Sequence, residues 1–175
     1  MSLRVPVGEQ DHVQGNADAH GTLVEYGDYE CPHCGRAHPI VKRVQKRFGK
    51  KLRFVFRNFP IAEMHPHAES AAETAEFAGA HGKFWEMHDA LFENQEQLGG
   101  AFYLKLAQEL GLSPQELRAA VENREYLARV KSDFTGGVRS GVNGTPTFFI
   151  NGKRHDASFE YDDLVEAIQA ALASA

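Results

Sequence analysis

Cysteine is scarce in this chain, with two among 175 residues. That excludes a disulfide scaffold and a four-cysteine zinc cluster. Long hydrophobic runs are missing too. No window approaches the roughly 18 apolar residues of a membrane span, and the opening MSLRVPVGEQDHVQG holds no signal core. The chain as it stands therefore reads as cytoplasmic, or as periplasmic or otherwise extracytoplasmic if a leader has been removed. It is not expected to insert into a membrane, and a monomer is expected. No excess of positive charge exists either. A net charge of -5 gives nucleic acid and anionic membrane no electrostatic reason to bind. The basic run Lys42, Arg43, Lys46, Arg47, Lys50, Lys51 and Arg53 lies mostly opposite the apolar positions of one helix and reads as a solvated face.

What is present suffices for a core without staples: 42% of residues are hydrophobic and 25% charged, ordinary for one domain carrying a sizeable insertion. Residues 1–20 show no periodicity, and 1–14 read as a tail. Residues 22–28, TLVEYGD, read as a buried strand. Ala37, Ile40, Val41, Val44 and Phe48 then fall on one helical stripe that stops at Gly49. A second strand over 52–59 ends at Pro60. This strand, helix, strand unit makes a parallel pair. Residues 61–140 read as helical throughout, with the securest start at Ser113-Pro114-Gln115-Glu116, a capping box. Asn151-Gly152 between two short extended runs signals a hairpin, and Tyr161, Leu164, Val165, Ile168 and Leu172 form a last amphipathic helix. The reading is an α/β protein. It has a mixed four-stranded sheet with a helix on each face, built from 15–60 and 141–175, and an inserted helical domain at 61–140.

Both cysteines stand in Y-E-C-P-H-C-G, residues 29–35, where the first strand hands over to its helix. Zinc would need two more ligands, and His65 and His67 form an H-x-H beyond a strand rather than a second ligand pair of usual spacing. Haem attachment needs His after the second cysteine, where Gly35 stands. A structural disulfide between residues three apart closes almost no loop and restricts the unfolded chain little. In redox catalysis each position has a task. The helix N-terminus favours a thiolate at Cys31, Pro32 fixes φ where no donor is needed, and His33 adds a donor or a positive charge. Cys31 is expected to be the exposed attacker and Cys34 the buried resolving thiol. A thiol of pKa ~4 stabilises the reduced form at pH 7 by roughly 4 kcal/mol, against about 0.4 at pKa ~7. That difference makes the disulfide roughly 80 mV more oxidising.

These residues resemble the thioredoxin superfamily, and within it the DsbA-like thiol:disulfide oxidoreductases. The resemblance rests on TLVEYGDYECPHCGRAHP at 22–39, RFVFRNFP at 53–60 and GVNGTPTFFING at 141–152. It implies a thioredoxin-like fold with an inserted helical domain and an enzyme that trades a Cys31–Cys34 disulfide with protein dithiols in the oxidising direction. No metal and no cofactor beyond that redox-active disulfide is implied. The implied partners are protein or peptide thiol substrates and a redox recycling partner. By the same resemblance Cys31 is the nucleophile, Pro146 is a cis-proline, and Thr145 before it offers its backbone to a visiting peptide. Glu25, six residues before Cys31, is the buried acid that takes the Cys34 proton. The rival for Glu25 is an outward-facing side chain. His65-Pro66-His67 is expected to cap and pack. Similar domains occur joined to membrane transporters, and a redox-responsive regulatory domain with little turnover is the alternative function.

Overall fold

A computed structural model describes residues 1–175. The chain forms β1 (His12–Gly15) and β2 (Gly21–Gly27), passes through α1 (Pro32–Phe48), and returns as β3 (Leu52–Asn58). Five helices follow: α2 (Ala68–Ala80), α3 (Phe84–Phe92), α4 (Gly100–Glu109), α5 (Pro114–Glu122) and α6 (Leu127–Arg139). The hairpin β4 (Thr147–Ile150) and β5 (Lys153–Arg154) and the final α7 (Tyr161–Ala173) complete it. No helix is long and apolar enough to cross a membrane.

The sheet has five strands in the order β1-β3-β2-β4-β5, with only β2 and β3 parallel. The thioredoxin-like α/β class read from the sequence stands, and the strand count grows by one. The extra strand is β1, inside residues read as a tail. It pairs antiparallel with β3, Val13 opposite Val55. Long-range side-chain contacts hold it there. His12 stacks on Phe84 with ring centroids 3.6 Å apart, and its Nε2 lies 3.0 Å from both carboxylate oxygens of Glu76. Ahead of β1, buried Arg57 grips Asp11 through two hydrogen bonds of 2.8 and 2.9 Å and donates to the carbonyls of Val5 and Pro6. A bidentate guanidinium–carboxylate pair of this kind fixes geometry as well as charge.

Both faces of the sheet are covered, which is why β2 and β3 are buried almost end to end instead of alternating. Leu23, Phe54, Phe56, Phe148 and Ile150 pack into one core with Val41 and Val44 of α1, and Leu164 and Ile168 of α7. The sequence reading put a helix on each face. Instead α1 and α7 share this face. Val24, Tyr26, Val55 and Phe149 point the other way, against Leu3, Val7 and Phe134, so the N-terminal segment and α6 cover that side. Gly136 and Gly137 of α6 allow the approach: a Cβ on Gly137 would stand 2.7 Å from the Phe59 ring. The strand alternation therefore sends Glu25, with Leu23, toward the helix that carries the cysteines. In the hairpin Asn151 and Gly152 have φ of 48° and 82°, as a two-residue turn with two left-handed positions requires.

Candidate active site

Residues 28–31 connect β2 to α1, and each is fastened to a different part of the molecule. The buried Asp28 carboxylate accepts from the backbone N–H of Glu30 (2.8 Å) and of Ile61 (2.9 Å) and pairs with His65 Nδ1 (2.8 Å). Glu30 takes the backbone N–H and Nδ1 of His67 at 2.7 and 2.8 Å. The histidines of His65-Pro66-His67 thus brace the turn that delivers the cysteines. Tyr29 is buried, and its hydroxyl meets Nδ1 of His88 at 2.8 Å. From the turn after α3, the Gln95 amide donates to the carbonyls of Tyr29 (2.8 Å) and Cys31 (2.9 Å). Gly35 makes room for it, since a Cβ there would fall 2.1 Å from Gln95 Oε1.

Cys31 is the N-cap of α1 and Pro32 its first residue, so the unpaired N–H groups of the first turn point at the sulfur. Both cysteines are free thiols in this structure. Cys31 Sγ lies 3.6 Å from the carbonyl oxygen of Thr145, whose bond to Pro146 is cis. The expectation of an exposed Cys31 is corrected: the residue is 4% exposed and Cys34 0%. The segment carrying Thr145 lies across the N-cap, and the Gln95 clamp holds the backbone inward.

The two thiols are polarised in opposite senses. Cys31 is lowered to about 5, first by the hydrogen bond from the Cys34 thiol, then by the Thr145 side chain rather than its carbonyl, and by the backbone N–H groups of Cys34 and His33, with burial opposing. Cys34 is raised well above the usual thiol range, mainly by burial and then by the loss its thiol incurs in bonding to Cys31. His33 is exposed and contributes its backbone N–H. Its ring, given a role from the sequence, is not among the largest influences on the Cys31 sulfur.

Glu25 lies beneath the pair, 2% exposed. Burial, and secondarily the charge on Cys31, push its carboxyl up to about 8. Its charge is in turn one of the influences that raise Cys34. Cys31, Cys34, Glu25, Thr145 and Pro146 therefore converge, with Pro32 at the helix start and the His33 ring turned outward. Sequence reasoning missed Asp28, Glu30 and Gln95. The first two carry a legible hint, since acids two apart at 28 and 30 match histidines two apart at 65 and 67. Gln95 carries none. Near the site His38, His88 and Asp89 bring possible ligand atoms within 4.8 Å of one another. Lys42 already occupies Asp89 at 2.9 Å and Tyr29 one nitrogen of His88, so the group is internally hydrogen-bonded.

The family described as Thioredoxin matches residues 8–170. The chain belongs to the thioredoxin family. Among solved structures this thioredoxin chain is similar to oxidised BdbD from Bacillus subtilis, 27% identical with TM-score 0.86 over 93% of both chains. It is also similar to a thioredoxin-like oxidoreductase from Silicibacter pomeroyi DSS-3, 28% identical with TM-score 0.84, over 96% of this chain and 95% of that one. Wolbachia pipientis alpha-DsbA1, 17% identical with TM-score 0.84 over 98% of this chain and 94% of that one, shares the fold. The architecture is thus that of DsbA-like thiol–disulfide oxidoreductases. Curated relatives of this thioredoxin chain include the Na(+)/H(+) antiporter NhaA 1 of Salinispora arenicola, 44% identical over 100% of this chain and 26% of that protein. The Na(+)/H(+) antiporter NhaA 3 of Salinispora tropica is 41% identical over 100% of this chain and 27% of that protein. The chain spans about a quarter of the length of these curated relatives.

Proposed function

We propose that this thioredoxin domain exchanges a Cys31–Cys34 disulfide with the dithiols of protein substrates in the oxidising direction. The opposed polarisation of its two thiols carries the reading: one sulfur is stable as a thiolate at neutral pH and the other is not.

A substrate thiolate attacks Cys31 of the disulfide, and the bond to Cys34 breaks. Cys34 leaves with the electron pair and takes a proton from the Glu25 carboxyl. The second substrate thiol then closes the substrate disulfide and expels Cys31, which remains ionised. Reoxidation runs through a recycling partner. Its disulfide is attacked by the Cys31 thiolate, after which Glu25 recovers the Cys34 proton and Cys34 displaces the partner. In that mixed disulfide Cys31 carries no charge, which removes the smaller of the two influences raising Glu25 and leaves a larger fraction of the carboxyl ionised and free to accept a proton at the moment one is needed. Thr145 supports substrate binding, because its carbonyl lies beside the reacting sulfur and a backbone so placed can pair with an extended peptide. An oxidant of this kind suits a compartment where disulfides persist.

The test is a Cys34→Ser variant, which should accumulate mixed disulfides through Cys31, together with the reduction potential against glutathione. A potential as low as about -270 mV, the thioredoxin range, would refute the oxidising direction. A second reading is favoured by one observation, the match to a quarter of proteins named as antiporters. On that reading the domain is a redox-responsive part of a transporter, and a dithiol-oxidation assay would show negligible turnover.

A further inference from the structure

With its carboxyl raised to about 8, Glu25 regains a proton from solvent at neutral pH after serving Cys34 and has to give it up before it can accept the next, yet it is sealed beneath the cysteines. Its Oε2 is buried without a hydrogen-bond partner, a condition that native structures rarely leave unanswered. Beside it lies a cavity of about 10 Å³, lined among others by Glu25, Gln14, Gln45, His38, His88 and Asp89. A polar cavity of that size accommodates one water, and the amides and imidazoles around it supply the two to four partners such a water needs.

Of the side chains on this cavity, His38 bridges inside and outside. It is 8% exposed, and its Nε2 stands 3.1 Å from Glu93 and 3.6 Å from Asp89, whose side chains are 55% and 32% exposed. His88 lies deeper, with Nδ1 committed to Tyr29. We propose that His38 relays protons between the Glu25 carboxyl and the outer carboxylates of Asp89 and Glu93, through one water in this cavity.

The proposal rests on reading Cys31 and Cys34 as an exchanging pair, and it adds the proton's path. When a mixed disulfide on Cys31 resolves, the Cys34 proton passes to Glu25. The Cys34–Cys31 bond forms, the bond to the partner sulfur breaks, and the partner departs with the electron pair. For Glu25 to accept that proton at neutral pH, the one it already holds must first leave by way of the water to one ring nitrogen of His38, while the ring releases another to Glu93 or Asp89 and so to solvent, so this transfer precedes release of the partner. Reduction of the disulfide runs the same path inward. The charges that face His38 are Lys42 on its own helix, Asp89 on α3 and Glu93 at the C-terminal cap of α3, and Glu25 on β2, with His88 as a further titratable neighbour. Burial lowers His38 first, the two carboxylates pull it back up, and Lys42 opposes them. The ring is therefore mostly neutral at pH 7 and able to accept.

A path changes rates and leaves equilibria alone, and that separates it from a packing role. The experiment places glutathione on Cys31 of the full chain and follows its release by Cys34 from about pH 5 to about pH 9. His38→Gln should slow release by about tenfold near pH 7, with partial rescue by added imidazole and an unchanged Cys31–Cys34 reduction potential. Combined with Glu25→Gln, it should slow release no further than Glu25→Gln alone, since both act on one path. If His38→Gln fails to fold, the surface pair Asp89→Asn and Glu93→Gln should produce the same slowing. Release at the native rate, a slowing accompanied by a shifted potential, or additive losses in the double variant would each overturn the relay. Native protein that releases no glutathione would remove the exchange reading and the relay together. Equal release by native protein and His38→Gln removes only the relay.

Discussion

Replacing Cys34 by alanine takes away the largest single influence holding the Cys31 thiol down, and the consequence is measurable. With Cys31 lowered from 9.0 to about 5, ionisation at pH 7 favours the folded dithiol form by about 2.7 kcal/mol. At about 30 mV per 1.4 kcal/mol this makes the disulfide roughly 60 mV more oxidising. A hydrogen bond to a charged group contributes about 1.5–3 kcal/mol. Cys34→Ala should thus raise Cys31 by about one to two pH units, to about 6–7, whereas Cys34→Ser, which keeps an O–H donor, should raise it less. His33→Ala keeps the backbone N–H and should shift Cys31 by less than about half a unit, in line with the small contribution of exposed charges. Ultraviolet thiolate absorbance titrated against pH reads all three. The sign follows from a folded value below the unfolded one. The dithiol form gains stability over the disulfide form as pH rises, and that advantage is lost as pH falls through about 5. A His33→Ala shift as large as that of Cys34→Ala would refute the assignment of the low value to Cys34 and the helix N-terminus.

Glu25 gives the opposite sign. With its carboxyl raised to about 8, stability is greatest below about pH 4.5 and falls, by on the order of 4–5 kcal/mol, as pH rises through 8. Glu25→Gln should abolish that decline in denaturant titrations run across this range. Gln95→Ala leaves the carbonyls of Tyr29 and Cys31 without their donor and should lower stability by about 1–3 kcal/mol; an unchanged unfolding midpoint would show that the clamp is idle. Asp11→Asn breaks a buried pair with Arg57 and should destabilise by about 3–5 kcal/mol, with limited proteolysis cutting first within the first eleven residues.

The elements that hold the cysteines were legible because local chemistry decides them. An apolar run ending at Gly27-Asp28, a proline at the first position of α1, and Asn151-Gly152 with both residues in the left-handed region each need no distant partner. β1 was not legible. His12, Val13, Gln14 and Gly15 are short and mostly polar, and what holds them is Phe84, Glu76 and Gln45, far along the chain. The side of the sheet taken by α7 was equally hidden, since periodicity names the buried face of a helix and not the layer it joins. At the site, proximity in sequence overstated the His33 ring. The Cys31 sulfur is lowered first by the Cys34 thiol, and what position 33 contributes is a backbone N–H that any residue but proline would supply.

The five-stranded sheet has a consequence for how such a unit is carried in longer polypeptides. Its margins are β1, four residues long, and β5, two residues of lysine and arginine partly covered by a bridge from Ser2. Neither margin offers a long unpaired ribbon on which a neighbouring domain or a second copy could template itself. Margins this short give a flanking segment little backbone with which to exchange strands.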